Sequence, residues 1–108
     1  MSLTDLALQY LRAFAAKDLD AIRPMFGPAM TLRDWAGAVS GREQVLAQMK
    51  ASLDSVRRVE VTPVNVYQQG RTVIAELTIA IDAETLHVID LIEFSADAKI
   101  LAIRAFKG

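Results

Sequence analysis

The stretch Leu86-His87-Val88-Ile89-Asp90-Leu91-Ile92-Glu93-Phe94 decides the fold. Its apolar residues alternate as in a β-strand, where successive side chains point to opposite faces. The even positions Leu86, Val88, Asp90, Ile92 and Phe94 form one apolar face with a single polar interruption, Asp90. The odd positions Thr85, His87, Ile89, Leu91 and Glu93 form a mixed face, suited to water or to a second subunit. His87 therefore faces away from Asp90.

The same period of two extends in both directions. Val59, Val61, Val64, Val66 and Tyr67 make a β-branched strand, in which Pro63 implies a bulge or an edge position. Residues 72–81 form the next strand and residues 100–106 the last. Turns fall at Gln69-Gly70, Asp82-Ala83 and Asp97-Ala98, and turns this short make neighbouring strands antiparallel.

Upstream of Arg58 the period is 3.6. Leu3, Leu6, Ala7, Tyr10, Leu11 and Phe14 form the stripe of an amphipathic helix that Ser2 or Thr4 can cap. Asp18 caps a second, short helix carrying Leu19, Ile22 and Phe26, which Gly27-Pro28 stops. Residues 30–35 read as extended, and Gly37 ends that segment. Ser40-Gly41-Arg42-Glu43 reads as a capping box opening a third helix that buries Val45, Leu46, Met49 and Leu53. Helices first and a meander afterwards predict an α+β fold, with three N-terminal helices packed against a curved antiparallel sheet around a small apolar pocket.

The chain has 108 residues, 53% of them hydrophobic, enough for one domain over residues 1–108 with its own core. The net charge of −1, with acids and bases interleaved, argues against nucleic acid or an anionic membrane as partner. With no cysteine and one histidine, the sequence offers neither disulfides nor a thiolate or histidine-rich metal site. No apolar run approaches the ~20 residues of a membrane span. Met1-Ser2-Leu3-Thr4-Asp5 lacks the basic and apolar regions of a secretory signal, so a cytoplasmic location is expected.

Three side chains stand out as chemistry. If the even face of residues 86–94 points inward, Asp90 loses hydration, its pKa rises and it becomes a neutral hydrogen-bond donor; alternatively it bonds backbone amides at a strand bulge. Tyr10 lies mid-stripe on the first helix, where a buried ring leaves its hydroxyl in need of a partner. Asp34, in Leu32-Arg33-Asp34-Trp35-Ala36-Gly37, sits either on a pocket wall or in a solvated loop. Trp35 suits packing or a ligand wall. Arg104 has two candidate acidic partners, Glu76 and Glu93.

Several phrases together resemble the nuclear transport factor 2-like superfamily, in its SnoaL-like and ketosteroid isomerase branch. They are Ala16-Lys17-Asp18-Leu19-Asp20-Ala21-Ile22, the Ser40-Gly41-Arg42-Glu43 helix start and the ending Ile103-Arg104-Ala105-Phe106-Lys107-Gly108. The resemblance spans essentially the whole chain. It implies a cone-shaped (cystatin-like) fold with a deep pocket, and a homodimer formed through the outer sheet face. In ketosteroid isomerases a helix tyrosine and a strand aspartic acid form an oxyanion hole while a second aspartate shuttles a proton. That family is the standing example of a carboxylic acid kept neutral at pH 7. By resemblance Tyr10 takes the tyrosine's place, Asp90 that of the neutral acid, and Asp34, 24 residues after Tyr10, that of the base. Trp35 stands where the family commonly has proline. Phe14, Trp35, Val88 and Ile92 are then the expected apolar pocket walls. The implied activity is cofactor-independent, isomerase- or cyclase-like proton transfer on a small hydrophobic ketone or lactone. The alternative is a non-catalytic module that binds an apolar ligand or serves as a dimeric interaction domain.

Overall fold

A computed structural model describes residues 1–108. The amphipathic stripe forms α1 (Leu3–Ala15), and Ser2 rather than Thr4 caps it. The Ser2 hydroxyl accepts from the Asp5 amide at 3.0 Å, and the Asp5 carboxylate accepts from the Ser2 amide at 3.3 Å. Lys17, in the left-handed region, turns the chain into α2 (Leu19–Ile22), where the Asp18 carboxylate accepts from the Ala21 amide as expected of an N-cap.

The chain then departs from the expected pattern. Gly27-Pro28 lies inside a strand, β1 (Phe26–Asp34), instead of marking a break before one. Gly37 does not end the extended segment; it starts a second strand, β2 (Gly37–Ser40), which pairs antiparallel with β1. The capping box before α3 (Arg42–Asp54) does not form. Gly41, at φ 94°, occupies the N-cap with no side-chain cap, while Glu43 pairs with Arg23 and Arg42. The Glu43 carboxylate is held below its usual pKa, first by the hydrogen bond from Arg23. A salt bridge across elements thus displaces a local cap. The apolar stripe of α3 is as expected, with Val45, Leu46, Met49 and Leu53 buried.

The meander follows: β3 (Val59–Gln69), β4 (Thr72–Ile81), β5 (Glu84–Phe94) and β6 (Ile100–Lys107). Left-handed Gly70, Asp82 and Ala98 mark its three turns. The six strands run in the order β2-β1-β6-β5-β4-β3 in one curved, unclosed sheet. One pairing breaks the antiparallel expectation: β1 runs parallel to β6, which no short turn prevents because β2, α3 and the first three strands of the meander separate them in sequence. Pro63 satisfies both readings given to it, since β3 is an edge strand and its register skips between Pro63 and Asn65.

α1 packs on β3 and β4, and α3 packs on β1 and β2. The two helices cover different parts of the concave face. Ala7, Leu11, Ile22, Phe26, Met30, Leu46, Val73, Leu77, Ile92 and Ile103 belong to one buried core. No helix is long and apolar enough to cross a membrane.

Candidate functional site

A cavity of about 310 Å³ opens between α1, α3 and the inner sheet face. That lies at the small end of the range for ligand sites, roughly 300–1,000 Å³. Tyr10 and Phe14 reach it from α1, Asp34 and Trp35 from the β1–β2 hairpin, and Val88 and Asp90 from β5. Ile92, expected on this wall, does not line it. Ile92 is fully buried in the closed core, two residues further along β5, where the core has filled the space under the sheet.

Alternation along β5 explains how Asp90 arrives inside. Val88, Asp90, Ile92 and Phe94 are buried, whereas His87 and Ile89 are exposed. Asp90 pairs in register with Ala75 on β4 and Ala105 on β6, so two small neighbours leave room beside its carboxyl. It is the one buried charged residue, 8% exposed. Burial alone pushes its carboxyl up to about 7.

Tyr10 is also buried, with its ring tilted against Phe14 and Phe26 at centroid distances of 6.2 and 5.9 Å. Its phenol is raised well above the usual value, first by burial and then by the charge of Asp90. The hydroxyl therefore stays protonated as a donor. Neither Tyr10 nor Asp90 makes a side-chain hydrogen bond within the protein. No polar side-chain atom is sealed away without a partner, so both groups open onto the cavity.

Asp34 is held differently. It is half-buried at the end of β1, and its Oδ1 accepts from the Ala36 amide at 2.8 Å and the Gly37 amide at 3.2 Å. This is the side-chain turn that aspartate forms with its own following backbone. The carboxylate thus closes the hairpin and faces the cavity at once. Trp35 is 49% exposed at the cavity edge, with the Lys107 ammonium 5.3 Å from its ring centre. Two polar lining residues were not among the expected site residues: Gln48 and Ser52, one turn apart on α3 and flanking buried Met49. The signal was available, because positions 48 and 52 share a helical face beside the buried stripe.

On the opposite face of the sheet, Arg104 bonds Glu93 at 3.2 Å, which resolves its two candidate partners. Glu76 instead bonds His87 at 2.8 Å and Asn65 at 2.9 Å. Those two bonds hold the Glu76 carboxyl below its usual pKa, Asn65 first.

Three helices packed on a six-stranded curved, unclosed sheet give the chain the nuclear transport factor 2-like fold. The model of the SnoaL-like domain matches residues 7–103, and the chain belongs to that family. Solved structures share the fold at low identity. An NTF2-like protein of unknown function from Cytophaga hutchinsonii is 15% identical with a TM-score of 0.86, covering 100% of this chain and 91% of its own. A SnoaL-like protein of unknown function from Burkholderia thailandensis is 16% identical with a TM-score of 0.87, covering 98% and 93%. A candidate ketosteroid isomerase from Kribbella flavida is 12% identical with a TM-score of 0.85, covering 98% and 77%. Comparison with curated proteins gives no match.

Proposed function

We propose that the protein is a cofactor-independent enzyme that moves a proton next to the carbonyl of a small hydrophobic ketone or lactone. The observation that carries this reading is the pairing of Tyr10 and Asp90, two groups without protein partners, on one small apolar cavity. A carbonyl oxygen is the acceptor such donors lack. Asp34, ionised, takes the proton from the adjacent carbon. The C–H electron pair moves into the carbonyl, and its oxygen becomes an enolate held by the Tyr10 hydroxyl and the protonated Asp90 carboxyl. Asp34 then returns the proton to another carbon of the same skeleton, so no co-reactant is consumed.

The test is conversion of a β,γ-unsaturated ketone, 3-cyclohexenone or a ketosteroid, into its conjugated isomer, followed in the ultraviolet. Turnover by the wild type that vanishes in Asp34→Asn with the fold intact supports the assignment. A second reading has its own observation: the hairpin bonds of Asp34 account for that residue without chemistry. No turnover across ketones and lactones, together with saturable binding of an apolar ligand, favours a non-catalytic pocket protein.

The same reading includes a homodimer through the outer sheet face. Its support is a cluster of exposed apolar side chains there: Ile89 beside Phe106 in register, with Tyr67 on β3. Sedimentation of the wild type against Ile89→Glu/Phe106→Glu tests it.

A further inference from the structure

The cavity contains more polar groups than the proposed chemistry uses. Apart from the Tyr10 hydroxyl, four lining residues are not hydrophobic: Asp34, Asp90, Gln48 and Ser52. The first two have roles in proton transfer. Gln48 and Ser52 do not, and both come from α3, at the i and i+4 positions of one helical face. Both are exposed, so they stand at the cavity mouth and not in its buried floor. Neither side chain is engaged in a hydrogen bond within the protein, although Lys50 and Ser55 nearby are so engaged. An amide and a hydroxyl each donate and accept, so together they suit an oxygen that does either.

The charge of the lining narrows the ligand further. It includes two carboxyl groups and no lysine, arginine or histidine. An anionic group within the cavity would meet acids and no lining cation.

The geometry points to a substrate with two uncharged polar ends: a carbonyl at Tyr10 and Asp90, and a hydroxyl or second carbonyl at Gln48 and Ser52, joined by a hydrocarbon body. This rests on the proton-transfer reading for the inner end and extends it at the outer one. Gln48 and Ser52 are then specificity residues, which discriminate among ketones without touching the reacting carbon.

A matched pair of enolisable ketones tests it: 2-tetralone and 6-hydroxy-2-tetralone, titrated calorimetrically into the intact protein. The hydroxylated ketone binds wild type roughly three- to tenfold more tightly, the range of one net neutral hydrogen bond or slightly more. The double variant Gln48→Ala/Ser52→Ala abolishes that preference by weakening the hydroxylated probe while leaving 2-tetralone where it was. Alanine at exposed helix positions preserves α3. Equal affinity of the two ketones for wild type overturns the assignment, as does a double variant that weakens both alike. Tighter binding of 6-carboxy-2-tetralone than of the hydroxyl compound also overturns it, and assigns the mouth to the Lys107 ammonium beside Trp35. Deuterium exchange into 2-tetralone separates this from the chemistry. Exchange that is equally fast in Asp34→Asn sinks the base assignment but leaves a measured hydroxyl preference standing. Asp34-dependent exchange with no preference does the reverse.

Discussion

Asp90 and Asp34 share a cavity but are held in opposite ways. Asp90 projects from the middle of a central strand into hydrocarbon, between two alanines, and no protein donor compensates its charge. Asp34 lies at the end of a strand near the sheet edge, half-exposed, with two backbone amides on one oxygen. Desolvation favours the neutral form of Asp90. One cavity thus carries two differently held carboxyl groups, one desolvated without a protein donor and one tied to backbone amides. What differs is strand position: mid-strand burial against a hairpin end.

The largest effect that would break this contrast is chemical. Asp34→Asn keeps an oxygen for the Ala36 and Gly37 amides but removes the base, so turnover falls by about 10²–10⁴-fold, measured as conjugated-enone formation. Loss of less than tenfold would leave Asp34 as a hairpin closer only.

Asp90 makes its own prediction through linkage. Its folded pKa is raised to about 7, so between the unfolded value near 4 and 7 the folded state holds a proton that the unfolded state has lost. Stability therefore falls as pH rises through that window, by up to roughly 4 kcal/mol at full ionisation. Urea melts at pH 4.5, 6 and 8 should show that decline, and Asp90→Asn should remove most of it. A wild type whose Asp90-linked stability rose over the same window would contradict a desolvated carboxyl. The donor role fades in the same direction, so turnover should fall above pH 7. Tyr10→Phe is expected to cost about 100-fold in turnover, the usual scale for one oxyanion donor, with little loss of packing.

Asp90 was legible because alternation is a rigid rule: one polar residue among Leu86, Val88, Ile92 and Phe94 has a single face to occupy. Tyr10 was legible for the same reason on a 3.6-residue period. Ile92 shows the limit of that rule. Periodicity gives the face, but not where along the strand the core closes and the cavity begins. The β1–β2 hairpin was hidden because its strands are set by pairing with each other and with β6, the latter parallel and distant in sequence. Local signals at Gly27-Pro28 and Gly37 pointed to breaks that tertiary pairing overrode. The Ser40–Glu43 box failed similarly, since Arg23 lies 20 residues from Glu43 and no local motif encodes that partner.

The smallest effect separates the two roles Asp34 could have. Asp34→Ala removes the acceptor that Asp34→Asn retains. Both lose the base, so both should be equally inactive. Only the alanine variant should also lose stability, by about 1 kcal/mol, because the Ala36 and Gly37 amides lose a protein acceptor and turn to water at an exposed hairpin tip. Denaturant midpoints for the pair, at a pH where Asp90 is protonated in both, isolate that difference. Equal midpoints would mean that the turn holds itself together and that the carboxylate stands there for chemistry alone. Equal activity of the asparagine variant and wild type, with a less stable alanine variant, would mean the opposite: a carboxylate kept for the hairpin, in a cavity that binds without reacting.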